Sequence, residues 1–269
     1  MKQRLLLAGG VLLGITVLGA ALAYALVTFG GDDQNSNSPG TPRASISPKG
    51  APHRSEPHHP VPTLASQPQG GRYFQVVSLR DGVEVPLYAS PGGKLLRSVN
   101  SRSEFGSPRV LAVARERGSW LAVITPLLPD GKLGWVRFDP TKLDRYWTRY
   151  SLRILLSKRQ LQLRYGDRVL GRFTVTIGTT ASATPEGHFA VTDALDFGES
   201  PDYGCCALAL SGHQSHLPVG WLGGDRIAIH GTPGPVGEAA SHGCIRATDQ
   251  TMHTLFRRVP LGTPVFVRG

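Results

Sequence analysis

Ser241-His242-Gly243-Cys244-Ile245-Arg246 lies near the C-terminus, and Ile229-His230-Gly231 closes an apolar run just upstream of it. Cys244 is one of three cysteines in the chain. A free thiol titrates near ~8.5 and becomes an effective nucleophile when a histidine or a helix N-terminus stabilises its thiolate. Both supports are close: His242 two residues before, His230 at the end of the preceding strand, and a helix expected a few residues after. Gly243 permits a sharp turn in which consecutive backbone N–H groups could face a developing oxyanion. Three other uses compete for these residues. His230, His242 and Cys244 could ligate zinc, Cys244 could pair with Cys205 or Cys206 in a disulfide, or Cys244 could be a small buried apolar group. Structural zinc sites usually take four ligands and no C-x-x-C pair accompanies these three, so no metal is assigned. Burial alone explains neither histidine.

Downstream of this motif, Met252, Leu255, Phe256 and Val259 repeat at helical spacing, with Asp249 in the first turn and Arg257 and Arg258 in the last. The spacing predicts a helix from about 248 to 259, stopped by Pro260 and Gly262, and then a closing strand over 263–267. Upstream, the β-rich runs 152–156, 160–164 and 173–177, with Gly166-Asp167 as a turn, read as hairpin strands. Thr184-Pro185-Glu186-Gly187-His188-Phe189 places a turn before an extended run. Residues 195–225, rich in Gly, Ser, His and Pro without a sustained period, read as a long loop of the kind that forms lids. One helix among many strands predicts a mostly β domain over 149–269.

Residues 72–148 hold further short β-rich runs (73–77, 110–113, 120–124 and 134–138), separated by Asp81-Gly82, Pro91-Gly92-Gly93 and Pro129-Asp130-Gly131. This predicts a small barrel or sandwich. The surroundings of Trp120 and Gly134-Trp135-Val136 resemble the small Src-homology-3-type barrels of bacterial wall enzymes. Those tryptophans are either half-buried strand residues or the lining of a ligand groove.

Residues 5–29 carry no charge and follow the basic Lys2 and Arg4. As a helix they would reach ~37 Å, enough to cross a ~30 Å hydrocarbon core. The basic flank inside and Asp32 and Asp33 outside predict a transmembrane signal anchor over 1–30, with the rest of the chain extracytoplasmic. Secretory apolar cores are shorter, although Ala21-Leu22-Ala23 offers a cleavage-like site. Over 31–71, Pro, Ser and Gly supply 19 of 41 residues and there is no aromatic, so a disordered, extended linker is expected. His53, His58 and His59 read as solvated linker polarity. The formal net charge of +10 would suit nucleic acid in the cytoplasm; outside the membrane, anionic wall polymers and lipid headgroups are the available partners.

Three landmarks occur in order, 184–189, 229–231 and 241–246, and the stretch from about Tyr150 to Gly269 resembles the catalytic domain of the L,D-transpeptidase family. The resemblance implies a β-sandwich-like domain in which Cys244 is the nucleophile and His230 takes its proton. It makes His242 a further catalytic residue that forms the wall and oxyanion hole with Gly243 and Cys244, sets Ser241 and Gly231 around the oxyanion and substrate pocket, and gives Arg246 a substrate-orienting role. It implies acyl transfer on peptidoglycan stem peptides through a thioester, with no cofactor. A stem amine as acceptor gives a 3-to-3 cross-link, water gives L,D-carboxypeptidase activity, and carbapenems would be inhibitors. Two features stand apart from the family pattern: ten residues between His230 and Ser241, fewer than expected, and the adjacent Cys205 and Cys206. A non-catalytic wall-binding protein is the alternative from another class.

Overall fold

The computed structural model describes residues 66–221 and 223–269. The anchor expected over 1–30, and the linker as far as residue 65, lie outside the described residues. Among the described residues no helix is long and apolar enough to cross a membrane.

The first seven strands are β1 (Phe74–Leu79), β2 (Glu84–Tyr88), β3 (Leu95–Asn100), β4 (Val110–Arg117), β5 (Trp120–Ile124), β6 (Gly134–Arg137) and β7 (Leu143–Thr148). They form an antiparallel sheet in the order β3-β2-β6-β5-β4-β1-β7. Its inward residues, among them Val77, Leu87, Leu111, Leu121, Val136 and Leu143, make a core of their own. The expectation of a small barrel needs adjustment: β3 and β7 are the two ends of this sheet and are not paired with each other. β3 exposes all but one of its residues, so it has no buried face to carry into a closing pair. Trp120 and Trp135 are half-buried strand residues, with Tyr88 edge-on to Trp120 at 5.4 Å.

The chain continues through β8 (Tyr150–Leu155), β9 (Gln160–Tyr165), β10 (Arg168–Thr174), β11 (Ile177–Gly178), β12 (Gly187–Ser200), β13 (Gly204–His213) and β14 (Arg226–Thr232). It ends with β15 (Ala239–Ser241), β16 (Ile245–Thr248), α1 (Asp249–Arg258) and β17 (Pro264–Arg268). Eight of these strands form one sheet, β10-β9-β8-β17-β12-β13-β14-β16. β12 joins its two halves, pairing with β17 over Gly187–Ala190 and with β13 from Val191 onward. The halves share one apolar core, drawn from Leu152, Ile154, Leu161 and Val265 on one side and Leu208, Ile229 and Ile245 on the other, with Met252 and Leu255 of α1. The architecture is mostly β, sandwich-like, with a single helix near the C-terminus, as expected. α1 is capped by Thr248, whose hydroxyl accepts from Thr251 N, and carries Asp249 in its first turn and Arg257 and Arg258 in its last, matching the polarity of the helix dipole.

The sequence reading needs two further corrections. The loop expected over 195–225 is mostly strand: β12 and β13 run through to His213, and only 214–225 connects β13 to β14. Nine of the ten residues of β13 are buried, so no alternation marked it. The strand expected over 173–177 ends at Thr174, and Ile177 and Gly178 instead run parallel to Ala239–Ser241.

Candidate active site

β14 and β16 are parallel neighbours, pairing Ile229 with Ile245 and His230 with Arg246. This register carries Cys244, the residue before β16, to the flank of β14. There its Sγ lies 4.0 Å from the Arg226 carbonyl and receives the Ala228 N–H. Burial pushes the thiol pKa up, while the Ala228 N–H and the charge of Arg246 oppose that. The Cys244 thiol is therefore held in its protonated form.

His230 is 3% exposed. Its Nδ1 donates to the Gly231 carbonyl at 2.7 Å, which fixes the ring and leaves Nε2 as the lone-pair nitrogen. Burial is the main reason its pKa falls to about 4, partly offset by the Gly231 bond. The imidazole is thus neutral near pH 7 and able to accept a proton. Among the described residues no hydrogen bond joins His230 directly to Cys244. Tyr203 sits edge-on to His230 at 5.2 Å and stacks on Phe197.

The turn before Cys244 is held from three sides. Ser241, fully buried, donates to the Cys244 carbonyl at 2.6 Å and accepts the Gly243 N–H at 3.1 Å. Thr184 donates to the Gly243 carbonyl at 2.8 Å and accepts from Gly178 N at 2.9 Å, which ties the 184–189 landmark to the turn before Cys244. Gln214 donates to the carbonyls of Ala183 and His242. Gly243 has φ +113°, and a Cβ there would collide with the Gln214 amide, so both its backbone and its neighbour require glycine. Gly231 is demanded by packing instead: a Cβ would run into Asp249 Oδ1.

His242 meets Trp221 of the 214–225 connection edge-on at 5.2 Å. Arg246 is half-buried, and its Nε is buried with no acceptor among the described residues. Of the residues expected at the site, His230 and Gly231 lie on β14, Ser241 ends β15, Gly243 and Cys244 form the turn that follows, and Arg246 lies on β16. His242 lies on the same turn under Trp221. Sequence reasoning missed Gln214, Tyr203, Trp221 and the roles of Thr184 and Asp249. The three cysteines are free thiols, with Cys205 and Cys206 buried in the core. The ten-residue connection from His230 to Ser241 is completed by β15, with the amides of Gly237 and Glu238 donating to Thr176 Oγ1.

A β scaffold that sets a cysteine on a glycine turn beside a buried, backbone-oriented histidine is a thiol–imidazole arrangement. A family model described as the L,D-transpeptidase catalytic domain matches residues 149–267. YqjB of Bacillus subtilis, named an L,D-transpeptidase, is 31% identical over 156 residues, covering 54% of this chain and 80% of that protein. YkuD of Bacillus licheniformis, named likewise, is 30% identical over 44% of this chain and 65% of its own length. Solved structures that the chain matches in part include an L,D-transpeptidase of Enterococcus faecium (20% identity, 45% of this chain, TM-score 0.35) and one of Mycobacterium smegmatis (16% identity, 60% of this chain and 90% of that one, TM-score 0.37). The chain spans half the length of the Enterococcus structure. The chain belongs to the L,D-transpeptidase catalytic-domain family.

Proposed function

We propose that this protein is a membrane-tethered L,D-transpeptidase that forms 3-to-3 peptidoglycan cross-links through a thioester on Cys244. The observation that carries this reading is the buried, neutral His230, held by its Nδ1 bond to Gly231 on the strand that flanks Cys244. His230 Nε2 takes the thiol proton as Sγ attacks the carbonyl between the third residue of a stem peptide and its terminal D-alanine. The tetrahedral intermediate collapses with cleavage of the C–N bond. The imidazolium returns its proton to the departing amine, leaving a thioester. The amine of a second stem attacks the thioester, His230 takes up the amine's proton, and cleavage of the C–S bond releases the thiolate, which is reprotonated.

The Gly243 N–H is engaged by Ser241, so the amide of Cys244 itself is the donor better placed for the oxyanion, with Gly243 shaping the turn. Arg246, its buried Nε unpaired, suits a carboxylate of the stem. Tyr203, with Phe197 stacked on it, packs against the base His230, and Trp221 packs against His242 of the turn before Cys244. The seven-stranded sheet over 72–148 is a separate accessory domain in this reading, and the basic surface meets anionic wall polymers. The test uses purified full-length protein with tetrapeptide stems, read by mass spectrometry. D-alanine release with cross-linked dimers, both absent in Cys244→Ala, is expected. Release without dimers would make the protein an L,D-carboxypeptidase, and no release at all would leave a wall-binding role.

A further inference from the structure

Among the described residues one group of three metal-ligating side chains lies apart from the catalytic turn: Cys205 and Cys206 of β13 and His253 of α1, whose ligand atoms all lie within 4.8 Å of one another. Neighbouring residues of a regular strand point to opposite faces. Two adjacent sulfurs can both approach a helix side chain here because β13 starts irregularly, with Gly204 at φ +59° and a register shift between Asp196 and Ser200 on the paired strand. Cys205 is further fixed by its N–H, which donates to Asp249 Oδ1 at 3.1 Å.

We propose that Cys205, Cys206 and His253 form a binding site for a thiophilic d10 cation, zinc(II) in the first place, that clips β13 to α1. Two sulfurs and one imidazole are a soft donor set, and two thiolates cancel a dication, so the filled site adds no net charge to the core. Both cysteines are buried while His253 is exposed. The ion therefore enters from the His253 side, and a water can take the fourth position. At ordinary zinc–sulfur and zinc–nitrogen lengths the donor–donor edges are about 3.5 to 3.8 Å, so from separations within 4.8 Å the side chains need draw in by at most about 1 Å. Binding releases the two thiol protons to solvent, a loss that the bound cation drives by stabilising the thiolates. The clip would act on the frame of the active site without touching Cys244: Ala207 of β13 pairs with His230, and α1 begins directly after β16.

The catalytic thiol is itself a soft ligand, so the test is made in full-length Cys244→Ser protein, metal-free and with its two remaining thiols titrating as reduced. Cobalt(II) is added, the thiolate-to-cobalt charge-transfer absorption recorded, and zinc(II) used to displace it. Expected are saturation at one equivalent, at least tenfold weaker binding in His253→Gln, and loss of the band when Cys205→Ser and Cys206→Ser are added. His253 is exposed, so its substitution reports on the site even where the double cysteine variant fails to fold. Absence of the band in Cys244→Ser, its persistence without Cys205 and Cys206, or unchanged affinity in His253→Gln would each overturn the site. None of these readouts depends on transpeptidase activity.

Discussion

His230 and Cys244 are both held in their uncharged forms by burial, His230 with a pKa of about 4 and Cys244 with its pKa raised. In the proposed acylation the proton therefore moves during attack rather than before it. In single-turnover acylation the acid limb is expected near pH 4, where His230 becomes protonated, and not near the ~6.5 of an ordinary histidine. A limb at the ordinary position would mean that another group is the base. The same shift bears on stability. The folded pKa lies below the unfolded one, so the unfolded state binds more protons between the two values. The contribution of neutral His230 is complete above ~6.5 and is lost as pH falls towards 4, about 3 kcal/mol in all; denaturant titrations over this range, comparing wild type with His230→Gln, measure it. Thr184 shows how a landmark far away in sequence acts at the site. Thr184→Val keeps the shape but leaves the Gly243 carbonyl and the Gly178 N–H unpaired, at an expected cost of about 2 to 4 kcal/mol. Thr184→Ser should restore most of it, which urea unfolding of the three proteins would check.

At the scale of elements, α1 bonds β13 and packs against the histidine strand through one carboxylate. Asp249 Oδ1 accepts the Cys205 N–H and occupies the space left by the missing side chains of Gly204 and Gly231. Gly231→Ala is expected to push α1 away from β14, costing about 1 to 3 kcal/mol and lowering the acylation rate without altering the acid limb. Thermal melts and stopped-flow acylation separate the two effects. This element was half legible. The helix could be read because charge and apolar spacing agree at Asp249, Met252, Leu255 and Arg258, all local signals. The contact of Asp249 with Gly204 and Gly231 joins residues distant in sequence, and no local pattern marks it. β13 was hidden for a related reason: buried on both faces, it lacks the alternation that identifies strands, and its flanking glycines read as loop. Cys244, His230 and the turn glycine were legible because their chemistry is rare in that order. Gln214 and Trp221 were not, since a glutamine and a tryptophan in a polar connection resemble ordinary loop residues until the fold brings them to His242.

The two large sheets of the described residues are joined by polar contacts, and Val76 and Val110 of the first also pack into the apolar core of the second. The fully buried Asp193 of β12 accepts from Ser103, and Arg226 of β14 pairs with Glu104 while donating to Thr192 Oγ1 and the Leu210 carbonyl. The connection that carries Trp221 is anchored in the same way: His213 N donates to both oxygens of Asp130, and the His213 ring bonds the Pro126 carbonyl. The seven-stranded sheet thus holds the root of the wall beside His242. Asp130→Ala is expected to loosen that wall, raising KM about three- to tenfold with little change in kcat, as steady-state kinetics with tetrapeptide would reveal. The central claim is that Cys244, activated by His230, is the acylated group, and intact-mass analysis after exposure to a carbapenem tests it most directly. Wild type should gain the mass of one inhibitor, His230→Gln should do so at least about a hundredfold more slowly, and Cys244→Ala should gain none. An unlabelled wild type, or a label that survives Cys244→Ala, would contradict it.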